Sequence, residues 1–390
     1  MGVGRFVYTP ILPLMHAQAG LSAGAGANLA TANYVGYLLG ALAGILFPAL
    51  VRSRVVLRGS LVVLTGSLAA MAATRDTSVW TALRVPAGVA SALIFVIAVS
   101  SLLSHLREHP AHLPGWAFGG VGAGIALSGL LVLLLHSFGP LADWRIAWYA
   151  SAALAAALGA ASWRLRPEAP APAPAHAGGQ APAAVGLRTR RWFSALFVSY
   201  ALEGIGYIVA GTFLVSAIEQ GSPGRVGSGA WVLVGLAAVP SSALWARLGR
   251  RWSRPGLLLV ALVVQAAGIA LPALVTGTTA ALASAALFGG TFIGISTLAL
   301  ATGAHLRFPR SVALLTAGYS VGQILGPLVV TPLLRHGYHQ ALILAAAVVL
   351  AAAVAAGVLR IGFPGPAAWA PHAAPADRPA SAVTGGAPRA

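Results

Sequence analysis

The chain has 390 residues, 58% of them hydrophobic and 8% charged, with no cysteine and a formal net charge of +17. A soluble domain carries about 25% charged residues, so this composition lacks the polar surface to disperse a fold of this size in water and points to a lipid solvent. The lack of cysteine excludes disulfides, thiolate metal sites and cysteine nucleophiles, and the basic residues, all arginine, form short clusters between apolar runs rather than one stripe, which argues against nucleic acid as a partner.

A helix needs about 20 mostly apolar residues to cross the hydrocarbon core. In chain order such segments fall at 25–50, 55–74, 78–104, 115–136, 145–163, 192–217, 228–248, 256–275, 280–305, 312–334 and 340–360, giving eleven full-length candidates. Residues 1–16 are apolar but short for a twelfth span, and no basic region precedes them as in a cleavable signal peptide. Arg52, Arg54 and Arg58 follow the first full span, Arg75 and Asp76 the second, and REHPAHLP the third. Residues 164–191 are Pro/Ala-rich with basic ends, the composition of a linker that buries no apolar face. They divide the chain into halves at 1–163 and 192–360, and residues 361–390 read as a disordered tail.

Orientation follows from the arginine bias. With the 164–191 linker in the cytoplasm and loops alternating, the inner side receives most arginines, among them Arg52, Arg54, Arg58, Arg164, Arg166, Arg247, Arg250 and Arg251. The outer side receives Arg75, Arg145, Arg225 and Arg335. The expected location is the inner cell membrane, crossed many times, with both ends cytoplasmic.

The two halves are weakly similar. MGVGRFVYTPIL at 1–12 lies over EGIGYIVAGTFL at 203–214, matching Gly2 and Gly4 with Gly204 and Gly206. Parallel six-helix repeats are a transporter architecture. The same alignment sets Met1 opposite Glu203, well inside a span, so the first helix is expected to be short or truncated, with a start upstream of Met1 as one explanation and a half-helix packed on the bundle as the other.

Several runs, in order, resemble the YbfB/YjiJ-type branch of the major facilitator superfamily: GVGRFVYTPILPLM, LATANYVGYLLGALAG, YALEGIGYIVAGTFLV, RLGRR at 247–251 and GQILGP at 322–327. The resemblance covers the chain to about residue 360. It implies an all-α membrane protein of the major facilitator fold, two six-helix halves and alternating access; it implies no substrate. In the second half SALWARLGRR resembles the superfamily's loop motif at Arg247, Gly249, Arg250 and Arg251, but Ala246 stands at the aspartate position, which puts the associated gating salt bridges in doubt. The alternative is that these arginines set topology and meet anionic lipid. Arg84 in RVPAG resembles the fourth-helix motif linked to coupling and substrate binding; near the end of its span it can also snorkel to the interface.

Arg5 and Glu203 stand out because a charge at a helix centre costs about 2.5–3.5 kcal/mol on insertion scales. Glu203 is the only carboxylate deep in any predicted span. In the superfamily fold the first and seventh helices face the central cavity, where Arg5 and Glu203 can approach each other. Two readings stay open: substrate binding or proton coupling through Arg5, Glu203 and Arg84, or an ion pair that locks the halves together. Tyr8, Asn33, Tyr34, Tyr37, Tyr200, Tyr207, Tyr319 and Gln323 are candidate cavity-lining groups, each equally able to serve as an interfacial or capping residue. The glycine series Gly36, Gly40, Gly44 and Gly318, Gly322, Gly326 reads as close helix packing. His105, His109 and His112 read as a solvated loop rather than a metal site, because Pro110 interrupts any helix that would align them.

The combined expectation is a secondary transporter of a small solute, without cofactor, most consistent with proton coupling since a GxxxxGK[ST] phosphate loop is impossible without lysine. Protons, the lipid bilayer and an unidentified solute are the expected partners. A sensor or scaffold without flux, or a membrane enzyme, remain the other readings; no carboxylate–histidine cluster supports the enzyme.

Overall fold

The computed structural model describes residues 1–105, 116, 118–137, 143–165, 167, 186–222 and 224–363. These form α1 (Gly2–Phe6), α2 (Tyr8–Ala19), α3 (Ala23–Leu46), α4 (Pro48–Val51), α5 (Arg54–Met71), α6 (Thr77–His105), α7 (Gly119–Leu135), α8 (Trp144–Ala161), α9 (Leu187–Gly221), α10 (Val226–Leu248), α11 (Arg254–Leu274), α12 (Thr278–His305), α13 (Ser311–Val330) and α14 (Tyr338–Arg360). Most of the linker and the tail expected at 361–390 lie outside the described residues, as do His109 and His112.

The segment too short to read as a full span is helical. α1 and α2 run nearly end to end, broken at Val7, whose backbone keeps a right-handed helical conformation. The break has a local cause: Pro10 has no N–H to give the carbonyl of Phe6. Together α1 and α2 make the first crossing, α3 with α4 the second, and the remaining long helices one crossing each. Among the described residues nine helices are long and apolar enough to span a membrane by themselves. Two of the expected full-length spans fall short of that measure. α7 has 17 described residues, and α8 carries Arg145, two tryptophans and a tyrosine among its alanines. Helix starts use small oxygen-bearing caps: Ser22 Oγ accepts from Ala25 N at 3.1 Å, and Asp143 Oδ1 from Arg145 N at 2.8 Å.

Packing repeats between the halves. In the first, α3 packs on α6, α5 on α6 and α8, and α1 on α7. In the second, α10 packs on α12, α11 on α12 and α14, and α9 on α13. The halves meet through the matched pairs α3–α13 and α7–α10 and through α2–α9. The weak sequence repeat has a structural counterpart. A Cβ on Gly124 of α7 would lie 2.6 Å from Gly2 Cα, and one on Gly322 of α13 would lie 2.4 Å from the Ala201 carbonyl oxygen of α9. The glycine spacing serves close approach, as expected: a Cβ on Gly88 would come within 2.1 Å of the Asn33 carbonyl oxygen.

One correspondence is incomplete. α9 packs extensively on α14, whereas α1 and α2 touch α8 only slightly. Beside Met1–Gly4 the first half holds a cavity of about 740 Å³, lined by Leu57, Leu61 and Leu64 of α5, Ile94 and Ile97 of α6, Gly120 and Ala123 of α7, and Leu158 of α8. The start of α9 buries Phe193, Leu196 and Ser199.

Candidate functional site

The polar groups of the interior gather where α1, α2, α3 and α6 face α9, α11 and α13. Arg5 is 6% exposed, Arg84 2% and Glu203 0%. Arg5 donates through Nη2 to Gln323 Oε1 of α13. Its guanidinium lies 4.2 Å from the ring centroid of Tyr37 and 5.3 Å from those of Tyr34 and Phe6. Arg84 lies 4.9 Å from the ring of Tyr8, and its backbone carbonyl accepts from Asn33 Nδ2 at 3.0 Å. Cation–π contacts of this kind strengthen when desolvated but do not saturate a guanidinium's five N–H groups. Nε of Arg5 and both Nε and Nη1 of Arg84 have no hydrogen-bond acceptor among the described residues. Arg84 is therefore buried inside the bundle and not snorkelled to an interface, since a snorkelling side chain keeps its head in water.

Glu203 sits on α9 in a different setting. Oε1 accepts from Gln265 Nε2 of α11 at 3.3 Å, and Oε2 has no partner among the described residues. Tyr200 and Tyr319 stack beside it, with centroids 4.4 Å apart and planes 15° apart. The stack continues through Tyr207, 5.7 Å from Tyr319, to Phe292, 5.4 Å from Tyr207 at 9°. Phe292 in turn meets Phe6 edge-on at 6.4 Å. A row of nearly parallel rings thus leads from the carboxylate to the Arg5 guanidinium.

The geometry does not form the Arg5–Glu203 contact that the helix arrangement allowed. Gln323 takes Arg5, Gln265 takes Glu203, and Tyr207 and Tyr319 neighbour both charges. Tyr8, Asn33, Tyr34, Tyr207, Tyr319 and Gln323 all lie at this centre, along with Tyr37 and Tyr200. Tyr34 Oη and Thr212 Oγ1 are 2.9 Å apart across the halves, and Tyr8 Oη donates to the Gly26 carbonyl at 2.8 Å. The sequence reading missed Gln265, the only side-chain amide in the apolar run of α11, and the rings Phe288 and Phe292, which look like ordinary core residues.

Polar links between the halves concentrate at the end away from the linker. Thr9 Oγ1 donates to the Gly211 carbonyl at 2.5 Å, and Tyr338 Oη lies 2.6 Å from His16 Nε2. Neither the cavity beside Met1–Gly4 nor a second one is lined by Arg5, Arg84 or Glu203, and all three are buried in this conformation. The second, of about 570 Å³, lies at the linker end and is lined by Arg247, Gly249, Arg250, Arg254, Trp116 and Pro240, with no carboxylate among the described residues of its lining. Arg247, Gly249 and Arg250 line this cleft without a carboxylate partner among the described residues, and Arg251 follows in the same turn.

Comparison with known proteins agrees with this architecture. A family model described as an uncharacterised MFS-type transporter YbfB matches residues 1–357. No curated protein matches the chain. Among solved structures, a point mutant of the nucleoside transporter NupG superposes with a TM-score of 0.68 at 12% identity, covering 92% of this chain and 98% of its own. The structure titled simply nucleoside transporter NupG gives 0.67 at 12% identity, covering 92% and 96%. At such identity these two neighbours speak for the fold only. With the family match spanning nearly the whole chain, and with two six-helix halves packed face to face, the chain belongs to the YbfB-type family of major facilitator superfamily transporters.

Proposed function

We propose that this transporter is proton-coupled, and that it moves a small solute through the centre between Arg5, Arg84 and Glu203 by rocking of the two halves. The observation that carries the reading is Glu203: a wholly buried carboxylate whose hydrogen bonding comes from a neutral amide, with one oxygen left open. A lone charge in a low-dielectric interior is expensive, so proton occupancy at such a group is tied to whether a conformation gives it water. That tie is the requirement for coupling solute movement to a proton gradient.

The links at the end away from the linker, and the arginine-lined cleft at the linker end, support an arrangement with the linker in the cytoplasm of the inner membrane and the last helix ending on the same side. Transport is favoured over catalysis by the match of residues 1–357 to a transporter family. NupG carries nucleosides by its name, which makes a nucleoside a necessary member of any substrate panel.

The test uses the full chain reconstituted in liposomes with a pH dye trapped inside. Solutes from several chemical classes are added with and without an imposed pH gradient. A solute that moves protons in the wild type, but is exchanged without proton movement by Glu203→Gln, establishes the coupling role. Undiminished proton movement in Glu203→Gln removes Glu203 as the carrier.

A further inference from the structure

We infer that the solute is an aromatic carboxylate, held by its charge at Arg5 and Arg84 and by its flat body against the Tyr207–Phe292 face. The inference rests on the transport reading of the same centre and adds the solute's chemical class.

Charge comes first. Arg5 and Arg84 are the two buried arginines of the described chain, and they are near enough to repel each other. A guanidinium does not shed its proton. Neither has a carboxylate as a hydrogen-bond partner: Arg5 has a neutral amide, and Arg84 has a tyrosine ring and no acceptor for Nε or Nη1. An anionic ligand supplies what the protein withholds, and a carboxylate matches the guanidinium fork in shape as well as sign. A cationic solute meets like charge at the same place.

The rings then select the body. Phe6, next to Arg5 in sequence, touches Phe292, and Tyr207 lies parallel to Phe292 at 5.4 Å. Tyr207 and Phe292 are buried against each other here, and in a conformation that opens the centre this face would offer offset stacking to a planar ring whose carboxylate reaches Arg5. A polyhydroxylated solute would need several neutral donors and acceptors close to the arginines. Gln323 Oε1 already accepts from Arg5 and Asn33 Nδ2 donates to the Arg84 carbonyl, which leaves Asn33 Oδ1 as the open amide oxygen of that pair. A small inorganic anion would satisfy the charges and leave the aromatic face unused.

The test is thermal stabilisation of the purified full chain by benzoate, benzamide, cyclohexanecarboxylate, acetate, inorganic phosphate and uridine. Benzoate is expected to stabilise most, and benzamide, the neutral isostere, to bind at least about tenfold more weakly because charge-assisted hydrogen bonds are lost. Cyclohexanecarboxylate should fall between, and acetate, phosphate and uridine should give no shift. Arg84→Gln should abolish the benzoate shift while the protein still elutes as a single species. If that variant does not fold, the wild-type comparison of benzoate with benzamide decides alone. Equal shifts from benzoate and benzamide, a shift from uridine or phosphate alone, or no shift from any carboxylate overturn the inference. Uridine that moves protons in liposomes would overturn it while leaving proton-coupled transport standing. Benzoate that binds but is never moved would leave the site and remove the transport reading beneath it.

Discussion

In the first half, α1 to α8 bury two guanidiniums and, among the described residues, no carboxylate; Asp76 and Asp143 serve instead as helix caps near the ends of spans. In the second half, α9 to α14 bury a carboxylate and a row of aromatic rings, and no arginine. The two backbones nonetheless follow one packing plan. Duplicated architecture therefore carries unlike chemistry, and the unlike groups lie where the two halves meet. Buried opposite charges directly bonded to each other are costly to separate, because breaking a buried ion pair is strongly destabilising. Here each charge is bonded to an amide instead, Arg5 to Gln323 and Glu203 to Gln265, and such a bond is less costly to exchange than a buried ion pair.

The sharpest way to break this comparison is to put a carboxylate among the cations. Gln323→Glu gives Arg5 an internal counter-ion in place of an amide of the same length. It should weaken binding of an aromatic carboxylate by a hundredfold or so, because the solute then meets a fixed negative charge at close range. Titration of the shift in melting temperature against benzoate concentration reads this directly, and unchanged affinity would mean that Arg5 does not receive the anion. A second test concerns stability. Phe193, at the start of α9, stacks on Phe308 with centroids 4.0 Å apart and planes 2° apart. Phe193→Ala should cost about 3–5 kcal/mol, as for other buried aromatic truncations. Ala123 of α7 lines the cavity beside Met1–Gly4, so Ala123→Leu should be tolerated with a change below about 1 kcal/mol. Denaturation in detergent monitored by tryptophan fluorescence compares the two.

Much of the fold was legible because lipid imposes length and polarity on every span, and both are written in the residues. The all-helical membrane fold and nine of the eleven apolar runs follow from patterns that neighbours in space do not alter. The first helix was harder to read, since Pro10 and Pro13 interrupt a short run and only packing against α7 and α9 shows it to be a crossing. The site was legible as a set of residues: Arg5, Arg84 and Glu203 are conspicuous because each is a charge in an apolar run. Their partners were not. The helix arrangement suggested that Arg5 meets Glu203, yet which side chain meets which depends on helix rotation of a few tens of degrees, and sequence spacing does not fix rotation between separate helices. Gln265 was passed over for the same reason, being one amide in an otherwise apolar helix, while Phe288 and Phe292 gain their role only from rings contributed by α1 and α9.

The smallest expected effect tests the local packing of the paired helices most cleanly, because the same substitution is made at two positions related by the repeat. Gly120 precedes Gly124 by one helical turn, as Gly318 precedes Gly322. A Cβ on Gly120 meets nothing within 4 Å, whereas one on Gly318 would come within 2.6 Å of the Phe197 ring. Gly120→Ala should therefore stabilise by up to about 0.5 kcal/mol, less than in a helix interior because Gly120 lies in the first turn of α7. Gly318→Ala also makes a backbone gain but must displace Phe197, and should destabilise by about 1–3 kcal/mol as overpacking does. Opposite signs in a thermal melt would show that Gly318 is packed against Phe197 while Gly120 faces open space. Equal signs would mean that α7 is enclosed at Gly120 as tightly as α13 is at Gly318.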